Sequence, residues 1–454
     1  MKAGSQIKYY STNHNSEEVT FREALLKGLA PDNGLYMPSS LPVLNHMELE
    51  KLQGQDYAAA AFTVLDKLIG SEIGKQDLAE ICREAYDFDL PIERVYDRKY
   101  IVRLDQGPTA SFKDFAARLM SRLMQYYTSR GKRHLTVLTA TSGDTGSAVA
   151  NAFYGLSNIN VVILFPLSEV SLIQRKQMTT LGKNITVIGI SGKFDDCQKL
   201  VKTAFMDQSL DHIPLTSANS INTGRLLPQS VYYFYAWSRL RKSIDEQVLF
   251  SVPSGNFGNI MGGLIAKKMG LPVKKFVVST NENKEVPEFL ESGIYRPTDP
   301  SINCISSAMN VGHPSNLARI VSLYGGVMNE KGEIIKYPDM ERMREDLYGI
   351  MVSDKDTKRT IAEIYRRYDI VLEPHGAVAW KGLEEYIRRE KPDKDQLSVS
   401  IETAHPAKFP DEIKEIAGKD TPLPLSLKGL MDKIESFLTL DNNYEALKGV
   451  LLKL

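Results

Sequence analysis

The chain is predicted to fold as an α/β protein with mostly parallel sheets, and three features of its sequence predict it. Short β-branched runs alternate with segments of helical periodicity through the later part of the chain, the pattern of strand–helix–strand units. Two of those runs end in a Gly-rich turn that opens a helix, as ligand-binding strand–helix junctions do. At 454 residues the chain is also too long for one ordinary core, and its length implies roughly two or three domains.

In chain order, residues 21–29 and 57–68 carry helical periodicity on either side of a Pro/Gly-rich break at 31–42. Behind Lys113, Phe115, Leu119, Met120, Leu123, Met124 and Tyr127 recur at helical spacing and form a core stripe, with Arg118, Arg122 and Gln125 on other faces. Residues 135–140 read as a buried strand, followed by a Gly-rich turn and a small-residue helix over 146–154. Strands follow at 161–165 and 185–190, then a helix over 195–205 and an aromatic helix over 231–237. The strand at 248–252 precedes the second Gly-rich turn and a helix over 260–269, and strands at 276–279 and 397–401 complete the set. A polar run at 241–247 suggests a boundary near 243–247, and a second is expected near Tyr100. The expected division is an N-terminal extension of 1–100, a smaller α/β domain of 101–245 and a larger one of 246–454, with the chain free to cross between the last two.

Composition narrows the partners. The 56 basic residues balance 56 acidic ones, so no global field favours nucleic acid or an anionic membrane, and any anionic ligand needs a local site. The cysteines Cys82, Cys197 and Cys304 lie far apart without a CxxC pair, which fits a reducing compartment and argues against a cysteine-based metal module; no metal is expected. No apolar stretch at the start suggests secretion, and no run approaches the roughly 18 apolar residues of a membrane span, so a cytoplasmic protein is expected.

Four kinds of segment carry chemistry, the paired Gly-rich turns counting as one. Gly107-Pro-Thr-Ala-Ser-Phe-Lys-Asp-Phe115 puts Lys113 where a loop turns into a helix. Helix N-termini attract anions, so a cation there works against local stability. It reads either as a solvated lysine beside a cap or as an amine that forms a Schiff base with pyridoxal 5'-phosphate (PLP). The two Gly-rich turns, Thr139-Ala-Thr-Ser-Gly-Asp-Thr-Gly-Ser147 and Pro253-Ser-Gly-Asn-Phe-Gly-Asn259, are each a phosphate or carboxylate site or a plain tight turn. Neither matches the GxxxxGK[ST] pattern of nucleotide P-loops.

The third segment is Glu402-Thr-Ala-His-Pro-Ala-Lys-Phe409, after a strand. The Thr403 hydroxyl there can bond a neutral pyridine nitrogen without supplying a countercharge, or satisfy a local turn. His405 either pairs with backbone or meets substrate, and Lys408 reads as a surface charge. Glu373-Pro-His-Gly376 adds His375 in a turn, read as structural. In the fourth segment, Asn219-Ser-Ile-Asn-Thr-Gly-Arg225, the Arg225 fork suits a phosphate dianion or packs across a helix start.

Taken in order, these motifs resemble the threonine synthase family, in its larger bacterial and fungal branch. The resemblance runs from about residue 8 to about 415. It rests on Phe21-Arg-Glu-Ala-Leu-Leu-Lys-Gly-Leu-Ala-Pro-Asp-Asn-Gly-Leu-Tyr36, Ser111-Phe-Lys-Asp-Phe115, Thr141-Ser-Gly-Asp-Thr-Gly-Ser147, Ser254-Gly-Asn-Phe-Gly-Asn259 and Thr403-Ala-His-Pro-Ala-Lys-Phe409. It implies a fold-type II PLP enzyme, similar to the tryptophan synthase β chain, with two parallel-sheet domains and an N-terminal extension. It also implies conversion of O-phospho-L-homoserine and water to L-threonine and phosphate. Lys113 would be the Schiff-base lysine and proton shuttle. Gly255, Asn256, Phe257, Gly258 and Asn259 would cradle the PLP phosphate. Thr403 would face the pyridine nitrogen, and Asp144 would lie near the phenolic oxygen, where many relatives have Asn. Thr141, Ser142, Thr145, Asn219 and Arg225 would hold the substrate phosphate. The chain departs from the family at Ser111, where a small apolar residue is common, and at Glu373, where Asp is usual. Two alternatives stand beside this reading: a phospho-lyase making 2-oxobutyrate from the same substrate, and a non-catalytic PLP-binding protein.

Overall fold

The buried runs are strands, and they assemble into two separate sheets rather than one. The computed structural model describes residues 6–131 and 134–453. In chain order the strands of the two sheets are β1 (Ile92–Tyr96), β2 (Lys99–Arg103), β3 (Leu135–Ala140), β4 (Ile159–Pro166), β5 (Ile185–Ser191), β6 (Leu215–Thr216), β7 (Val248–Pro253), β8 (Val273–Thr280), β9 (Leu347–Met351), β10 (Ser398–Glu402) and β11 (Leu438–Asp441). The larger sheet has the order β9-β8-β7-β10-β2-β1 and is parallel except for the β1–β2 hairpin. The smaller has the order β11-β5-β4-β3-β6 and is parallel throughout.

Every residue of β3, β7 and β10 is buried, which is why these strands read as continuous apolar or small-residue runs. The strands absent from the sequence reading are β1, β2, β6, β9 and β11. Four of them lie at sheet edges, where one side of the strand has no neighbour and the composition stays mixed. β2 is internal but begins and ends on charge. Lys99 is satisfied by the carbonyls of Lys394 and Gln396 at 3.0 and 3.4 Å, and Arg103 pairs with Glu93 at 2.8 Å.

Sheet membership crosses the division expected along the sequence. The boundary expected near Tyr100 falls inside β2, which belongs to the larger sheet. The smaller sheet takes its outer strand, β11, from the far end of the chain, where it pairs with β5. Parallel pairing joins segments remote in sequence, so the sheets do not follow a linear cut. Residues 243–247 lie between β6, of the smaller sheet, and β7, of the larger.

Helix ends follow local chemistry. Thr20 and Glu23 form a capping box ahead of Phe21–Lys27, and Gly28, at a φ of 77°, ends that helix before the predicted residue 29. The other predicted helices appear as Tyr57–Ile69, Lys113–Gly131, Asp144–Phe153, Phe194–Met206, Val231–Leu240 and Gly258–Lys268. No helix among the described residues is long and apolar enough to cross a membrane. The three cysteines are buried thiols without disulfides.

The N-terminal extension is tied to the rest by a buried cation. Arg319 is fully buried and donates to the carbonyls of Tyr36, Ser220 and Ile221 at 3.3, 2.8 and 2.5 Å, and to Asn316 Oδ1 at 2.6 Å. Burial lowers its pKa to about 9. Arg319→Met leaves several buried acceptors without a donor and is expected to cost roughly 3 kcal/mol of unfolding free energy. Urea titration followed by tryptophan fluorescence measures it, and an unchanged midpoint refutes this account of the anchor.

Candidate active site

The turn before Lys113 is fixed from two sides. Asp114 accepts from the Thr109 amide at 2.8 Å and from the Thr109 hydroxyl at 2.7 Å, closing the loop on itself. Gly107 is required there, because a Cβ would stand 2.4 Å from Asp114 Oδ2. The loop is also stitched to the end of β10: the Phe112 amide donates to Thr403 O at 2.9 Å, and the His405 amide donates to Ala110 O at 3.0 Å. This short antiparallel bridge between Ser111 and Ala404 brings Lys113 and Thr403 to the same cleft.

The cleft encloses about 730 Å³ including its open mouth, and its walls come from both sheets. Lys113, Asp144, Thr145, Arg225 and Thr403 line it, together with the whole turn Gly255–Asn259. The Lys113 amine sits 3.6 Å from Asp144 Oδ2 and over the Phe112 ring. Burial pulls its pKa below the ordinary lysine value; the Asp144 charge opposes this, and Lys408 and Arg225 reinforce it. Burial also resists the charge on Asp144, but Lys408 and then Lys113 outweigh it and hold this carboxyl well below the usual range.

The 255–259 turn is built for an anion. Phe257 adopts a left-handed φ of 62° and places Gly258 at the start of its helix with no side-chain cap. The first-turn amides of Gly258, Asn259 and Ile260 have no protein acceptor among the described residues, the condition for a phosphate site. A Cβ on Gly255 would lie 2.9 Å from Ala308 O and from Met309 Cα, so the 308–309 backbone holds this position to glycine. Asn259 Oδ1 accepts from the Tyr232 and Tyr233 hydroxyls at 2.6 Å each, while its Nδ2 is buried without a partner.

Arg225 is a second anion-seeking group. Its guanidinium is buried and donates to Ala218 O at 2.7 Å, and its Nε has no partner among the described residues. Burial lowers its pKa to about 10 despite the opposing charge of Asp114. Of the other residues expected to hold a substrate phosphate, Thr145 lines the cleft and Ser142 is exposed beside it. Thr141 and Asn219 are not on its wall. The Thr141 hydroxyl accepts from the Gly143 and Gly146 amides at 2.9 and 2.8 Å, and the Asn219 amide donates to Ala140 O at 3.0 Å. Both brace the loop that carries Asp144.

Lys408 corrects the sequence reading. It is not a surface charge: its side chain is fully buried, with Nζ 2.5 Å from Asp144 Oδ1 and 3.1 Å from Thr109 O. His405 accepts from the Ala407 amide at 3.1 Å and does not line the cleft; burial, Arg103 and Lys408 lower its pKa to about 4. His375 does line it, accepting the Ala308 amide on Nε2 at 3.0 Å and bonding Glu373 through Nδ1. Glu373 caps the helix Pro374–Glu390 and accepts the Thr403 hydroxyl at 3.3 Å. The hydroxyl of Ser111 is buried without a partner. Ser220 lies within the Asn219–Arg225 segment without an expected role there, and sequence reasoning missed Gln229 and the Ala308–Met309 segment, which no motif marks.

Comparison with known proteins sets the class first. A family model described as "Pyridoxal-phosphate dependent enzyme" matches residues 93–403, which with two parallel sheets around the cleft makes this a fold-type II PLP enzyme. Two narrower models, "Threonine synthase N terminus" and "Threonine synthase, C-terminal", match residues 8–86 and 376–451. A threonine synthase of Buchnera aphidicola (subsp. Schizaphis graminum) is 40% identical over 424 residues, 93% of this chain and 94% of its own. The PLP-bound threonine synthase from Brucella melitensis is similar in structure at a TM-score of 0.90, with 35% identity and 98% of each chain covered. The yeast threonine synthase superposes at 0.89 with 31% identity, covering 100% of this chain and 99% of that one. The chain belongs to the threonine synthase family and is a PLP-dependent lyase.

The site fits the cofactor: unpaired first-turn amides and a buried amine share one cleft, and the turn that carries the amides is packed against residues 308–309 at Gly255. Two variants probe this. Lys113→Ala is expected to abolish the visible absorption band of the PLP-loaded protein. Gly255→Ala, which forces Ala308 and Met309 back, is expected to weaken PLP binding about tenfold or more in an equilibrium titration.

Proposed function

We propose that the site converts O-phospho-L-homoserine and water to L-threonine and inorganic phosphate, and that it does so in the cytoplasm. The observation that carries the substrate is Arg225. A buried guanidinium without a carboxylate partner faces the same cleft as an independent helix-start anion site, so the cleft has places for two phosphates. One suits the cofactor and the other a phosphorylated substrate.

Bound PLP supplies an electron sink for charge at the substrate α-carbon. The 255–259 amides would hold its phosphate, and Thr403 and Asp144, on the walls of the same cleft, would face its ring. Arg225 and Thr145, with Ser142 at the rim, hold the substrate phosphate, while Thr141 and Asn219 keep that loop in shape. Lys113, with its proton affinity reduced by burial, removes the α-proton and then a β-proton. Phosphate leaves from the γ-carbon, its developing charge met by Arg225. A proton delivered to the γ-carbon makes the methyl group, water adds at the β-carbon and a proton returns to the α-carbon. The walls of the cleft come from both sheets, and water reaches the β-carbon through its open mouth.

The product decides between this reading and the phospho-lyase. Incubation with O-phospho-L-homoserine is expected to release threonine and phosphate in equal amounts, and mostly 2-oxobutyrate would sink the proposal. Arg225→Met is expected to raise KM for the phosphorylated substrate roughly 10- to 100-fold, the worth of a charged hydrogen bond.

A further inference from the structure

Lys408 has no task in the chemistry above, yet it is a fully buried cation in contact with the site. Burying an ammonium group is costly unless it is paired and hydrogen-bonded. Its partners are Asp144 Oδ1 at 2.5 Å and Thr109 O at 3.1 Å. The Thr109 carbonyl also receives Gln177 Nε2 at 3.0 Å, so it does not depend on the lysine. Asp144 is the partner that needs the charge.

We propose that Lys408 is a positioning residue that neutralises Asp144, so that the pair offers Lys113 a hydrogen-bonding group without net charge. The two lysines sit on opposite oxygens of one carboxylate, Lys408 close on Oδ1 and Lys113 at 3.6 Å from Oδ2. Gln174 Nε2 adds a neutral donor to Oδ1 at 2.9 Å. Without Lys408, the whole Asp144 charge turns on Lys113, favours its protonated form and withholds the lone pair the chemistry needs. With Lys408, Asp144 keeps its place and its hydrogen-bonding capacity but not its field.

The remaining charges do not replace this pairing. Lys113 is faced by Asp144, Lys408 and Arg225, with His375 on the wall of the same cleft. Lys408 is faced by Asp144, and also acts on Asp114 and His405. Asp114 already accepts both Thr109 donors, and Arg225 carries the same sign as the lysines. Asp144 is therefore the only carboxylate among the described residues that pairs with either lysine.

This inference rests on Lys113 as the residue that carries PLP, and its test separates the two. The pH midpoint of the visible band is measured for the loaded protein. In the PLP-free protein, the pH dependence of Lys113 labelling by an amine-selective reagent is read by peptide mass spectrometry. Lys408→Met is expected to raise both midpoints by about 1 to 3 units, and Asp144→Asn to lower them. The double variant is expected to return to within about half a unit of the parent. A Lys408→Met midpoint equal to the parent's, or a double variant that keeps the Asp144→Asn shift, overturns the proposal. If Lys408→Met does not fold, Asp144→Asn against the double variant decides alone, because the double removes both buried charges. A visible band that survives Lys113→Ala is a failure of the carrier reading instead.

Discussion

The structure depends on the two hydrogen bonds that join the lysine loop to the end of β10. Phe112 N–H to Thr403 O and His405 N–H to Ala110 O form one rung of antiparallel pairing between loops that are nearly 300 residues apart. That rung sets where the Lys113–Gly131 helix begins, and so where its first side chain points. It also explains why a cation is tolerated at a helix start. Asp114, the next residue, is turned back to bind Thr109, and the amine looks into the cleft at Asp144 rather than along the helix axis. The arrangement holds Ala110 at a left-handed φ of 55° and leaves no room for a Cβ at Gly107.

Electrostatics then do what net composition cannot. The chain as a whole is neutral, but Lys113 and Arg225 line the cleft, and Lys113 and Lys408 share the one carboxylate Asp144. The uncompensated charge is stored where desolvation is already complete when a dianion arrives. Arg225 keeps its Nε unpaired and the helix at Gly258 keeps its first amides free, so two anions can be received without displacing any internal partner. A surface cluster of the same charge would be screened by salt, and a buried one is not.

Legibility in the sequence tracked how local the determinant was. β3, β7 and β10 were readable because a strand covered on both faces is a continuous apolar or small-residue run, whatever it pairs with. The Gly255 and Phe257 turn was readable because its glycines stand together in one short run between a strand and a helix, although what packs against Gly255 is the distant Ala308–Met309 segment. Lys408 was misread because its burial comes from Asp144 and Thr109, neither near it in sequence. Thr141 reads as a ligand contact because its hydroxyl lies in a Gly-rich turn; in the structure that oxygen accepts from two amides of the turn itself. β1, β9 and β11 escaped because an edge strand half open to solvent has no period that a loop could not also show.

The topology explains why the site's residues are so scattered. The chain passes between the two sheets three times: from β2 to β3, from β6 to β7, and from β10 to β11. Each passage leaves the carboxyl end of a strand, where ligands bind in parallel sheets. The first carries Gly107–Lys113, the second Asn219–Gln229 and the third Thr403–Lys408. The third goes on to lay Leu427 and Leu430 against Ala110 and is held to the smaller domain by Arg175–Glu435, bidentate at 2.8 and 3.0 Å. No sheet alone owns a complete site. The cleft forms only when both sheets have assembled and the three crossings meet, which makes the chemistry contingent on the whole fold rather than on either half.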